Sequence, residues 1–245
     1  MNLIKQGILK LVGHKRELKK CYQSRVPEGG SVVDIGCFGF TQYKYCTNQL
    51  QRNFVHSGVD YNNLTNIPTD FDFRRADLNQ GKIPFDSSSF DFVVCSHVIE
   101  HIVDPIVFFQ ECMRICKPGG YIYIEAPSER SIYQKGITKK FSKMLATNFY
   151  DDPTHLGRPW SMQAFYRLAS YHEANPISVG LYQSTLIRVV APFLKPIVHF
   201  FGFMTAYEFL VWYQCGWASF LVAQKPADAV DCAPFSYFID SGEQE

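Results

Sequence analysis

Three acidic residues stand just past short apolar runs in the first third of the chain: Asp34 after Ser31-Val32-Val33, Asp60 at the end of Phe54–Val59, and Asp77 after Arg75-Ala76. Carboxylates placed there accept hydrogen bonds from a ligand's hydroxyl and amino groups and balance a positive charge, and they repel phosphate. Asp34 leads into Ile35-Gly36-Cys37-Phe38-Gly39. The two glycines allow torsions and a close ligand approach that a Cβ would block. A helix opening near Phe40 or Thr41 would aim its amide groups at the same spot. The Gly-x-Gly-x-x-Gly phosphate turn is absent. Asp60 follows Asp34 by 26 residues, near the ~20-residue offset at which an acid meets ribose hydroxyls in doubly wound folds. A second group of chemically able residues lies further on: Ser96-His97-Val98-Ile99-Glu100-His101, and His155 within Tyr150–Leu156. His97 and His155 are candidate general bases. His97-x-x-Glu100-His101 also spells an inverted zinc-protease motif, but that motif needs a single helix, and this segment starts at the end of an apolar run.

The elements that position these residues follow from pattern. Val32-Val33 and Phe92-Val93-Val94-Cys95 read as buried strands of a parallel sheet covered on both faces. Alternation of such strands with helices from Ser31 to Ile124 predicts a doubly wound α/β fold with right-handed crossovers and a ligand across the strands' carboxyl ends. Residues 1–24 carry helically spaced Leu3, Ile4, Ile8, Leu9, Leu11 and Val12 among lysines, and predict an amphipathic helix. Residues 25–225 form the main domain. An insertion at 127–160, basic at Lys135, Lys139, Lys140 and Lys143, predicts a lid. Ser161–Tyr171 reads as a helix with Ser161 as its cap, Pro176–Tyr182 and Trp217–Ala223 as strands. Residues 185–212 form an apolar insertion in which Pro192 and Pro196 are expected to interrupt any helix. Cys112 and Cys116 fall together on a predicted helix. The acidic stretch 226–245 is expected to be a loose tail.

Five segments, in order, carry a resemblance: the Asp34 glycine turn, the Asp60 and Asp77 strand ends, Pro84-Phe85-Asp86 through Glu100-His101, and Lys117-Pro118-Gly119-Gly120. Together they resemble the class I S-adenosylmethionine-dependent methyltransferases over about residues 25–175. The resemblance implies a seven-stranded, mainly parallel Rossmann-like sheet, a helical lid and a C-terminal insertion. It implies S-adenosyl-L-methionine as cofactor and S-adenosyl-L-homocysteine as its product, held by Asp34, Ile35, Gly36, Cys37, Phe38, Gly39, Asp60, Tyr61, Asp77, Leu78, Ser96 and His97. Phe38 departs from the small residue usual in that loop, so it either packs under the methionine part of the cofactor or crowds the pocket. The acceptor is read as a small molecule, glycan or lipid-linked compound methylated at oxygen. Small-RNA 2′-O-methyltransferases share an Glu-His segment with a later histidine and hold a divalent metal there, which makes Glu100, His101 and His155 weak metal candidates and RNA 2′-O-methylation the alternative. A non-catalytic cofactor-binding subunit is a third reading.

Composition narrows the partners. A net charge of +1 argues against a nucleic-acid channel. Apolar residues at 47% supply a substantial core, and the 16% aromatic content is mainly packing, with Tyr121, Tyr123, Tyr133 and Trp160 as acceptor-lining candidates. Eight cysteines without a Cys-x-x-Cys pair, and Lys5 and Lys10 inside the first apolar run, are expected of a cytoplasmic chain. The apolar insertion is compatible with peripheral membrane contact or a homodimer.

Overall fold

A computed structural model describes residues 16–134 and 148–229. Seven strands form one sheet in the order β3-β2-β1-β4-β5-β7-β6: β1 (Ser31–Ile35), β2 (Val55–Asp60), β3 (Phe71–Arg75), β4 (Phe90–Ser96), β5 (Cys116–Pro127), β6 (Asn175–Leu181) and β7 (Ala218–Gln224). The first five run parallel, and β7 is inserted antiparallel between β5 and β6. The chain winds outward from β1 in one direction and from β4 in the other, so the switch point lies between them. In doubly wound sheets ligands bind outside the carboxyl ends of the strands at such a point.

Strand alternation divides the core between two faces. Val33 and Ile35 of β1 and Val93 and Cys95 of β4 join one cluster with α3 (Pro105–Ile115) and α4 (Met162–Tyr171). Val32, Phe92 and Val94 face the other way, onto α1 (Arg16–Ser24), α5 (Thr185–Phe200) and α6 (Met204–Cys215). Both flanking helices of the first layer start as sequence chemistry dictates. Asp104 caps α3, its carboxylate accepting from the amides of Ile106 and Val107, with Pro105 in the first turn. Ser161 caps α4 through the Ala164 amide. Between β1 and β2 runs α2 (Thr41–Tyr45), which widens into a π-type turn over Cys46–Leu50.

Several expectations are corrected. Pro192 and Pro196 do not interrupt a helix; both lie inside α5. They sit on its exposed side, where water can satisfy the carbonyls that lose an amide partner. Cys116 leaves the helix of Cys112 and opens β5. Trp160 stacks on Phe165 against the core, 5.1 Å between rings, and Tyr133 is largely exposed. Arg16–Ser24 is helical; residues 1–15, which carry the apolar pattern of the expected N-terminal helix, the lid lysines Lys135, Lys139, Lys140 and Lys143, and residues 230–245 lie outside the described residues. No helix of the described residues is long and apolar enough to cross a membrane.

At the edge of the sheet, His56 of β2 is buried among the rings of Tyr43, Phe54 and Phe71. Burial pushes its pKa from 6.5 to about 4, against a smaller opposing pull from Asp70. The unfolded chain therefore binds a proton at pH 5 that the folded chain refuses. This contribution to stability is complete above pH 6.5 and drains as pH falls towards about 4. Urea midpoints measured across that window should fall for the wild type and fall less for His56→Phe.

Candidate active site

The turn after β1 ties three strand ends together. Gly36 has φ +77°, and its amide donates to the Val59 carbonyl of β2 at 2.8 Å. A Cβ at this position would sit 2.3 Å from a methyl of Val98, which follows β4. Only glycine allows both the torsion and that approach. Gly39 also has a positive φ, +72°, but a Cβ there would meet nothing nearer than the Thr41 hydroxyl at 3.9 Å. The space beside it is open. Phe40 turns inward against Phe71, 5.1 Å between ring centroids. Phe38 is 70% exposed, so it neither packs beneath the turn nor plugs it. Cys37 is fully buried. Burial first, then the carboxylates of Asp34 and Asp60, push its thiol up to about 12, which leaves it a small apolar filler with no nucleophilic role.

Asp34 and Asp60 are both buried at adjacent strand ends. Asp60 is held by Asn62, whose amide and side-chain nitrogen donate to Oδ1 at 2.8 and 3.0 Å. Tyr61, next to it, is largely exposed. Asp77 caps the turn that starts at Leu78, accepting from the Asn79 amide at 3.0 Å. Asn79 then stitches this loop to the one after β4, donating to the His101 carbonyl at 3.3 Å and accepting from the Val103 amide at 2.8 Å. A cavity of about 320 Å³ lies between the two loops, with Leu78, Ile102 and Phe108 in its wall. Buried carboxylates beside an open glycine turn suit a cofactor with a positive centre, an amino group and ribose hydroxyls.

The strongest concentration of buried polar groups follows β4. His97 adopts φ +57°, an uncommon conformation for a side-chain-bearing residue. Its amide is anchored on the Glu125 carbonyl at 2.9 Å. Each ring nitrogen faces a carboxylate: Nδ1 lies 3.3 Å from Glu100 and Nε2 3.6 Å from Glu125. Both carboxylates are buried, while His97 itself is 30% exposed. Glu125 also accepts from the hydroxyls of Ser96 and Tyr123, and Tyr123 is in turn bonded to Tyr182. Beyond the imidazole, Trp212 and Trp217 stack at 4.4 Å, with centroids 6.1 and 5.8 Å from His97.

His155 falls elsewhere. Its ring packs 4.9 Å from that of His101 and donates from Nδ1 to the Phe149 carbonyl at 2.6 Å. The Leu156 amide donates to the Glu100 carbonyl at 2.7 Å, so the loop carrying His155 is pinned to the segment after β4. Glu100, His101 and His155 are brought together, and His97 is linked to them through Glu100.

Sequence reasoning missed Glu125, Tyr182 and the two tryptophans. Glu125 had a readable signal: it is a lone charge within the otherwise apolar strand Tyr121–Ala126, and a buried charge needs partners. The tryptophans had none, because only the crossing of α6 into β7 through Gly216, with φ +76°, folds one ring on the other.

A family model described as "Methyltransferase domain" matches residues 33–124. A ubiquinone biosynthesis O-methyltransferase from Paracidovorax citrulli is 44% identical over 109 residues, 39% of this chain and 43% of that protein. The chain spans less than half the length of the curated relatives it matches first. Solved structures share the fold over a greater length. A SAM-dependent methyltransferase from Archaeoglobus fulgidus superposes with a TM-score of 0.57 at 21% identity, over 89% of this chain and 98% of that one. Phosphoethanolamine N-methyltransferase 2 from Haemonchus contortus, in complex with S-adenosyl-L-methionine, gives a TM-score of 0.58 at 16% identity, over 86% of this chain and 52% of that one. The seven-stranded sheet with its antiparallel seventh strand and the matched stretch agree: residues 33–124 match a methyltransferase domain, and the chain shares the fold of solved S-adenosylmethionine-dependent methyltransferases.

Proposed function

We propose that this chain methylates a hydroxyl oxygen on a small-molecule, glycan or lipid-linked acceptor. The observation that carries this reading is His97, partly exposed at the end of β4 between two buried carboxylates. When bound, S-adenosylmethionine supplies a methyl group on a positively charged sulfur. Asp34 and Asp60 balance and orient its polar groups, and the Gly36–Gly39 turn gives its methionine part access to the backbone. A hydroxyl acceptor must lose its proton as it takes the methyl group, and His97 would receive that proton. Glu100 and Glu125 compensate the imidazolium that results. The Trp212–Trp217 stack offers a flat apolar wall beside the reacting oxygen, suited to a ring. The O-methyltransferase names of the curated relatives support oxygen as the acceptor atom.

A lipid-linked acceptor is supported by α5. Leu186, Val189, Phe193, Ile197 and Phe200 are exposed at helical spacing along one stripe. Arg188, Lys195 and His199 lie on another side of the same helix. A helix with an apolar stripe and a basic flank suits an anionic bilayer surface.

Calorimetric titration should show S-adenosylhomocysteine binding that weakens about ten- to a hundredfold in Asp60→Ala, as the loss of a charged hydrogen-bond partner implies. No binding by the wild type would sink the reading. In His97→Gln, methyl transfer to a responsive hydroxyl acceptor should fall by about 10² or more while S-adenosylhomocysteine affinity holds. Phe193→Asp with Phe200→Asp should abolish co-sedimentation with anionic phospholipid vesicles. A wild type that ignores vesicles but dimerises in the ultracentrifuge would assign the stripe to a second copy instead.

A further inference from the structure

Arg130 stands in the short turn Glu129–Tyr133 that follows β5. The turn is fixed from two sides. Ser128, fully buried, donates from its hydroxyl to the Gly216 carbonyl at 2.6 Å and accepts from the Arg130 amide at 3.2 Å. Asn148 donates to the carbonyls of Ile132 and Gln134 at 2.9 and 2.6 Å, which ties the turn to the loop that carries His155. The Arg130 side chain lies along the corner between α6 and β7. Its Nη1 donates to the Cys215 carbonyl at 3.2 Å and is 3.5 Å from where a Cβ of Gly216 would stand.

A guanidinium has five N–H donors and no acceptor. The carbonyl end of α6 accounts for one of them. Among the described residues no carboxylate pairs with Arg130, whereas Arg52, Arg74 and Arg114 each meet one within 3.0 Å. The stretch 135–147, which continues from the turn, contains no Asp or Glu to supply one. The same corner carries a second donor in want of an acceptor. Trp212 Nε1 is buried without a hydrogen-bond partner, and an indole nitrogen can only donate. The Trp212 carbonyl accepts from the amides of Gly216 and Trp217, so the stacked indoles and the guanidinium are held by one piece of backbone.

Two unmatched donors at one corner, one of them cationic and set on a pinned turn, call for oxygen atoms that carry negative charge. The guanidinium fork matches the paired oxygens of a carboxylate or phosphate. We propose that Arg130 and Trp212 Nε1 form an oxyanion subsite, which binds a carboxylate or phosphate group carried by the acceptor while the stacked indoles take the body of that molecule. Identifying the ligand as the acceptor rests on the methyltransferase reading; the subsite itself does not. The Trp217 ring lies 5.8 Å from that of His97. An acceptor moored by its anion would therefore be selected for the span between that anion and the hydroxyl it presents to His97.

The test is calorimetric titration of the full chain, with and without S-adenosylhomocysteine, using benzoate, phenyl phosphate and neutral benzamide at fixed ionic strength. At least one of the two anions should bind saturably, at about one per chain and about tenfold or more tighter than benzamide. Binding of benzoate alone would make the group a carboxylate, and of phenyl phosphate alone a phosphate. In Arg130→Gln the preference for the anion should vanish. In Trp212→Phe, which keeps a ring and removes the donor, anion affinity should fall about threefold or more. Affinity for S-adenosylhomocysteine should hold in both variants, and Asp60→Ala should show the reverse pattern. Near-ultraviolet circular dichroism of the stacked indoles reports whether the corner survives substitution. Should Arg130→Gln disturb it, Arg130→Lys decides, because it keeps the charge and loses the fork: anion affinity should fall about threefold or more while benzamide binding holds. Anions that bind no tighter than benzamide, or an anion preference unchanged in the Arg130 variant whose corner is intact, would overturn the subsite. Unchanged affinity in Trp212→Phe would strike the indole from it. Anion binding by a wild type that takes no S-adenosylhomocysteine would keep the subsite and remove the acceptor as its ligand.

Discussion

Everything chemical in this protein depends on the parallel pairing of β1 with β2 on one side and β4 on the other. That register sets Asp34 opposite Gly58 and Val94, so three strands end at one level. It leaves no space where they meet: a Cβ at Gly58 would lie 2.7 Å from Phe71 and 2.8 Å from Cys37. Close packing here transmits position, because an interior without voids cannot absorb a shift in one strand without moving its neighbour. Asp34, Asp60 and the segment from Ser96 onwards are held in mutual geometry by the sheet.

The sheet also explains how a buried charge is tolerated at its centre. Glu125 lies on β5, wholly enclosed, and hydroxyls of Ser96 and Tyr123 satisfy it while Tyr182 extends the chain of bonds. Such a network is costly if any member is missing and rigid if all are present. It fixes the ground beneath His97 with the same firmness that Gly36 gives the turn after β1. His97, in its left-handed conformation, is the residue where the two meet.

Sequence periodicity and turn chemistry made much of the sheet from β1 to β5 legible. The strand end at Asp34 was visible because its buried parallel strand is short, β-branched and sharply bounded, and Asp104-Pro105 and Ser161 announced their helices by capping chemistry. The cluster around His97 and Glu125 was not legible in the same way. Its parts come from segments distant in the chain: β4, β5, the loop at Phe149–Leu156 and the corner from α6 to β7. No local rule relates residues so far apart. The prolines of α5 misled for a physical reason, since proline forbids a helix only where its lost bond cannot be replaced, and at a solvated surface it can.

The position of β7 has a consequence for how the chain is made. Among the described residues it is the last strand in the chain, yet it sits between β5 and β6, and β6 has no other neighbour among them. Strands β1 to β5 can assemble while synthesis continues, and with them the acids and glycines of the cofactor turn. The stacked indoles and the enclosure of Glu125 wait for residues beyond Gly216. A nascent chain would therefore have its glycine turn and strand-end acids in place before Glu125 is enclosed, and the exposed flank of β5 is, for that interval, the edge most in need of a chaperone.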